Sequence, residues 1–159
     1  MFSSLLMVLL MTPPTFADPG SSAEVTALDA GRWSVSTERT VGDQSARASA
    51  TFDMDDAPDS AAPPHAHAAG ARAWLTLGQQ MLEDGNAENA ATAAQSGIDE
   101  LGGAYATYDV VDDTSLKIGA ASLLVKEGRT ADGATTLLSM LESRLGMYQN
   151  RYGVELGPS

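Results

Sequence analysis

The stretch EDGNAENAATAAQSGI, Glu83 to Ile98, decides how this chain is read. A Gly-Asn pair interrupts an alanine-rich run, and the alanines then return at helical spacing. Gly85 supplies the left-handed residue that ends one helix, Asn86 caps the next, and Glu88 lies in the first turn, where the helix dipole favours an anion. The stretch is therefore the turn of a helical hairpin rather than a linker. Upstream, from about Ala69 to Asp84, Trp74, Leu77, Gly78, Met81 and Leu82 share one face. Downstream, Ala87, Ala90, Ala91, Ala94, Ile98, Leu101, Tyr105 and Tyr108 follow steps of three and four.

The same pattern continues to the end. Asp112 to Thr114 offer caps for a third helix, about Thr114 to Glu127, that turns Leu116, Ala120, Leu123 and Leu124 inward and stops at Gly128. Thr130 and Asp132 open a fourth, with Ala134, Leu137, Leu138, Leu141, Leu145, Tyr148 and Tyr152 on one stripe. Sliding the sequence by about 43 positions lays Gly85 on Gly128, Ala91 on Ala134, Ile98 on Leu141 and Tyr105 on Tyr148, which suggests an internal repeat. The alternative is two unrelated amphipathic pairs.

Working outward to the N-terminus, an apolar run from Leu5 to Met11 precedes Thr12-Pro13-Pro14 and then Thr15-Phe16-Ala17. Small residues at the first and third of these last places resemble a signal-peptidase site, so residues 1–17 read as a secretory signal that lacks the usual basic start. The run is too short to span a bilayer. Residues 18–69 shift toward Ser, Thr, Asp, Ala and Pro with scattered apolar positions, and read as a mostly disordered linker. Within it, RWSVSTERTV, Arg32 to Val41, alternates as a strand would, and Ser49 to Met54 could pair with it. Such a hairpin needs docking on the helices to persist. The expected organisation is thus all-α: signal 1–17, linker 18–69, helical domain 70–153 and an unordered tail 154–159.

Composition narrows the function classes. The 159-residue chain has 9 Lys and Arg against 21 Asp and Glu, a formal net charge of -12, and no cysteine. That charge repels phosphate backbones and anionic headgroups, which argues against nucleic acid and membrane partners. The lack of cysteine removes thiolate nucleophiles and cysteine-ligated metals. No Gly-x-Ser-x-Gly elbow, Walker loop or dinucleotide fingerprint occurs. The acid pairs Glu83/Asp84, Asp99/Glu100 and Asp112/Asp113 read as solvent faces and helix starts. His65 and His67, in PPHAHAAG after the acidic run Asp53 to Asp56, give an alternative reading as a small metal- or ligand-binding envelope protein. Against it, the flanking prolines and alanines read as a solvated linker without groups to orient the rings.

Trp74-x-x-Leu77-Gly78-x-x-Met81 followed by Gly85-Asn86-Ala87-Glu88-Asn89-Ala90 resembles a tetratricopeptide repeat. The first hairpin carries the likeness better than the second, where Lys117 and Ala121 stand for Trp74 and Gly78. Ala94 replaces the family's usual aromatic residue, and the period exceeds the usual ~34. An armadillo- or HEAT-like hairpin is the alternative. The resemblance implies a non-catalytic scaffold that binds a protein or peptide, with no cofactor or metal; the N-terminal signal is what points to the cell envelope or secreted space. Two units are fewer than the ~3 an independent solenoid needs, so a second copy of the chain is a candidate cover for the exposed faces. Trp74, Met81, Tyr105 and Tyr148 are the candidate partner-binding residues.

Overall fold

The computed structural model describes residues 22–28, 31–53, 62–104, 121 and 123–158. Its elements run β1 (Ser22–Ala27), β2 (Arg32–Val41), β3 (Gln44–Asp53), α1 (Ala62–Glu83), α2 (Ala87–Ala104), α3 (Thr130–Tyr152) and β4 (Glu155–Pro158). The four strands form one antiparallel sheet in the order β1-β2-β3-β4. The fold is mixed α and β, which corrects the all-α expectation and the tetratricopeptide-like helical repeat with it. Strands fill half of the segment 18–69 read as mostly disordered, β2 matching the Arg32 to Val41 strand expected within it, and the tail forms β4. The expected signal, residues 1–17, lies outside the described residues.

Physical reasons for the sheet are visible once the partners are known. β2 and β3 pair from Arg32↔Asp53 to Val41↔Gln44 and join through the two-residue Gly42-Asp43 turn. Their alternation puts Val35, Thr37 and Arg39 of β2 and Ala48, Ala50 and Phe52 of β3 on one buried face. Ser34, Ser36, Glu38, Ser49, Thr51 and Arg47 occupy the other, half-exposed face. The period of two is clean, but its buried members are mainly small or polar, so little hydrophobic signal marks it.

α1 docks on the buried face. It starts eight residues or so before the 3.6-residue pattern becomes legible, because Pro63 and Pro64 stand in its first turn, where a missing N–H costs nothing. Ala66, Ala68, Ala69, Ala71 and Ala73 are fully buried, and small side chains let the helix backbone approach the strands closely. The Thr37 hydroxyl donates to the Ala66 carbonyl at 3.2 Å, tying strand to helix. Farther along, Leu75, Leu77 and Met81 join Ala90, Ala93, Ala94, Leu137, Leu138, Leu141 and Leu145 in the same core. α1 is thereby covered by the sheet on one side and by α2 and α3 on the other, giving successive layers over one core.

The hairpin turns follow their glycines. Gly85 (φ 83°) and Gly128 (φ 86°) both adopt the left-handed conformation. Each closes the same pair of bonds: Gly85 N–H to Leu82 O and Asn86 N–H to Met81 O, Gly128 N–H to Val125 O and Arg129 N–H to Leu124 O. Equivalent turns do not make a solenoid, because the first turns of α1 are committed to a sheet that has no counterpart in a helical repeat.

Candidate functional site

Among the described residues, buried charge gathers in one place. Arg39 faces inward from β2 and is 4 % exposed. Glu100 reaches it from α2, across α1 at Gly70. A Cβ at residue 70 would collide with the Glu100 carboxylate and the Arg39 guanidinium, so the missing side chain is what opens the passage. Arg39 Nε donates to Glu100 Oε1 at 3.0 Å and its Nη2 donates to Oε2, a bidentate pair. Arg39 Nη1 donates to the Glu38 carbonyl at 2.8 Å. From α1, Trp74 Nε1 donates to Glu100 Oε1 at 3.0 Å, and His67 Nδ1 lies 3.4 Å from Oε2.

Burial pushes the Glu100 carboxyl up, but the hydrogen bonds from His67 and Arg39 and the Arg39 charge outweigh it and hold the group below its ordinary value. Its acceptor sites are occupied: two donors meet Oε1 and two meet Oε2. A carboxylate so committed has no lone pair left for a substrate proton or a metal ion. The cluster is a clamp joining β2, α1 and α2.

A second polar pair lies nearby on α1. The His65 ring packs at a tilt of 47° against Phe52 of β3 with centroids 4.5 Å apart and meets Tyr148 of α3 edge-on. Its Nδ1 is 2.8 Å from the Tyr148 hydroxyl. Burial lowers its pKa from 6.5 to about 4, so the ring is neutral near pH 7.

The candidate partner-binding residues are placed as follows. Met81 and Tyr148 are each 1 % exposed and belong to the core. Trp74 is half-buried, with its N–H on Glu100, and Tyr105 lies outside the described residues. His65 and His67 sit on a packed helix, which replaces the linker reading of that segment, and both Nδ1 atoms face protein groups. Asp53 pairs with Arg32 at 3.2 Å; the rest of the acidic run lies outside the described residues. No group of three or more His, Asp or Glu that could hold a metal occurs among the described residues. Glu100, read as a solvent-facing acid beside Asp99, is instead the centre of the clamp. Arg39 went unremarked, although an arginine at an inward position of an alternating strand is the signal that would have found it.

The outer face of the sheet is the other distinctive surface. Register sets Ser34 beside Thr51, Ser36 beside Ser49, Glu38 beside Arg47 and Thr40 beside Ser45. Glu24 and Thr26 extend it on β1, and Glu155 on β4. Arg47 and Glu24 approach to 3.8 Å, and Arg32 lies 3.4 Å from Glu155. Every buried strand residue belongs to the opposite face, so no described helix covers this one. An open depression of about 570 Å³ near the end of α1, lined by Gln79, Leu82 and Glu83, offers one carboxylate and no convergent polar set.

Comparison with protein-family models, with curated proteins and with solved structures gives no match to this chain.

Proposed function

We propose that this chain is a non-catalytic protein-binding module of the cell envelope or secreted space, presenting the open side of its sheet to a basic segment of a partner protein. The observation that carries the reading is the contrast between the two polar sets. The inner one is saturated by its own groups, whereas no described helix covers the half-exposed outer face, on which the carboxylates of Glu24, Glu38, Asp53 and Glu155 outnumber the guanidiniums of Arg32 and Arg47. The formal net charge of -12 attracts a cationic partner over the same surface. Export rests on the apolar N-terminal run and the small residues after it. No helix among the described residues is long and apolar enough to cross a membrane.

The test is capture from envelope and secreted fractions by the immobilised chain, beside a Ser36→Arg, Ser49→Arg variant that adds bulk and positive charge at two paired outer positions. The reading expects a partner retained by the native chain, released by salt and lost with the variant. Equal retention by both chains, or none by either, overturns it.

A further inference from the structure

The two edges of the sheet differ. β4 is four residues long and ends in Pro158, both devices that discourage further pairing. β1 has six residues, no proline and no lysine, and among the described residues no strand pairs on its outer side. Its hydrogen-bonding direction follows from the hairpin that joins it to β2. Leu28 N–H donates to the Arg32 carbonyl at 2.9 Å. In an antiparallel ladder such bonds alternate, so Thr26 and Glu24 also bond toward β2. The N–H and C=O groups of Ala23, Val25 and Ala27 therefore point away from the sheet, toward the open edge.

We propose that β1 pairs antiparallel with β1 of a second copy of this chain, about a twofold axis at Val25, making one continuous sheet of eight strands. The proposal deepens the binding-module reading, since it rests on the sheet being the interacting side. With the axis at Val25, Val25 meets Val25 of the second copy and Ala23 meets Ala27, so all three open residues exchange both backbone bonds. Glu24 falls opposite Thr26 of the second copy, in a close non-hydrogen-bonded pair where no like charges meet. An axis at Glu24 would bring two glutamates face to face. Val25 is half-buried and Ala27 exposed, so pairing also covers apolar surface left at the rim of the inner face.

Short strands joined edge to edge bury less than a standard interface, which makes the dimer weak and concentration-dependent. The net charge of -12 on each copy opposes approach, so added salt strengthens association.

Sedimentation equilibrium of the full chain from ~0.01 to ~1 mM, the range suited to an interface of this size, reads the mass. The native chain moves from one copy toward two, more readily at higher salt. Val25→Pro removes an outward N–H and no bond toward β2, at the cost of some packing from the half-buried Val25 side chain, so it abolishes dimerisation while circular dichroism stays unchanged. Thr26→Arg, at an exposed position, gains Glu24 of the second copy and tightens association roughly three- to tenfold; Thr26→Glu weakens it by a similar factor. A native chain that stays monomeric throughout overturns the proposal, as does a folded Val25→Pro chain that dimerises normally. Weakening by Thr26→Arg overturns the Val25 axis, because only another register sets residue 26 against itself. A monomer that still captures a partner sinks the dimer and leaves the binding module standing; a dimer that captures nothing does the reverse.

Discussion

Replacing Glu100 by alanine removes the group on which Arg39 and Trp74 converge. The Arg39 side chain is 5 % exposed and the Glu100 side chain 12 %, so water does not take over the lost bonds. The guanidinium keeps its bond to the Glu38 carbonyl, and the Trp74 N–H loses its acceptor. Breaking a buried ion pair from one side costs about 3–5 kcal/mol. A buried N–H left without a partner costs about 1–3 kcal/mol, part of which is already inside the first figure. A total of ~4 kcal/mol is therefore expected, a large share of the ~5–15 kcal/mol that holds a domain folded. Urea unfolding followed by circular dichroism measures it, with an unchanged slope confirming that the transition is the same. The paired change Arg39→Met with Glu100→Met leaves no orphaned charge and should recover most of the loss, within about 2 kcal/mol of the native chain. A loss below ~1 kcal/mol for Glu100→Ala, the scale of a surface pair, would refute the clamp.

Two further tests use the same region. Gly70→Ala places a methyl group against Glu100 and Arg39 and should cost about 1–3 kcal/mol, while Gly102→Ala in α2, with open space around it, should be neutral or stabilise by up to ~1 kcal/mol in the same urea titration. For His65, the unfolded chain binds the proton at 6.5 and the folded chain only near 4. The unfolded state thus holds more protons between these values, and stability is full above pH 6.5 and falls as pH drops toward 4. After allowance for the partial exposure of the ring, the loss is about 2 kcal/mol. Glu100, held below its usual 4.5, adds a second loss as pH falls beneath that value. Urea titrations across this range on a His65→Phe variant should show the upper loss flattened and the lower one kept.

The helices were legible because glycine turns and leucine stripes coincide: Gly85, Gly128, and the run from Ala134 to Tyr148 need no partner to be recognised. The strand from Arg32 to Val41 and a partner segment from Ser49 were legible by their alternation, but the full four-stranded sheet was not, because its buried face carries Thr37, Arg39, Ala48 and Ala50 where a reader looks for valine and isoleucine. Alanine is weak as a strand signal and acquires its value only when another alanine surface, that of α1, approaches it. The start of α1 was hidden for a related reason, since Ala-Pro-Pro-His-Ala-His has the composition of a linker until the first-turn role of its prolines is known. Glu100 looked solvent-facing because Asp99 beside it is; only the strand bearing Arg39 turns it into a buried group. Tyr148 was legible as part of the α3 stripe, but its bond to His65 required a helix where the sequence suggested a tether.

Amide hydrogen exchange in β1 tests the central claim, an antiparallel sheet in which β1 is an edge strand unpaired on its outer side among the described residues, most directly. In dilute solution the account predicts alternation: protected amides at Glu24, Thr26 and Leu28, fast exchange at Ala23, Val25 and Ala27. Uniformly fast exchange along 22–28 would mean that β1 does not join the sheet, and uniform protection in the monomer would mean that the edge is already covered.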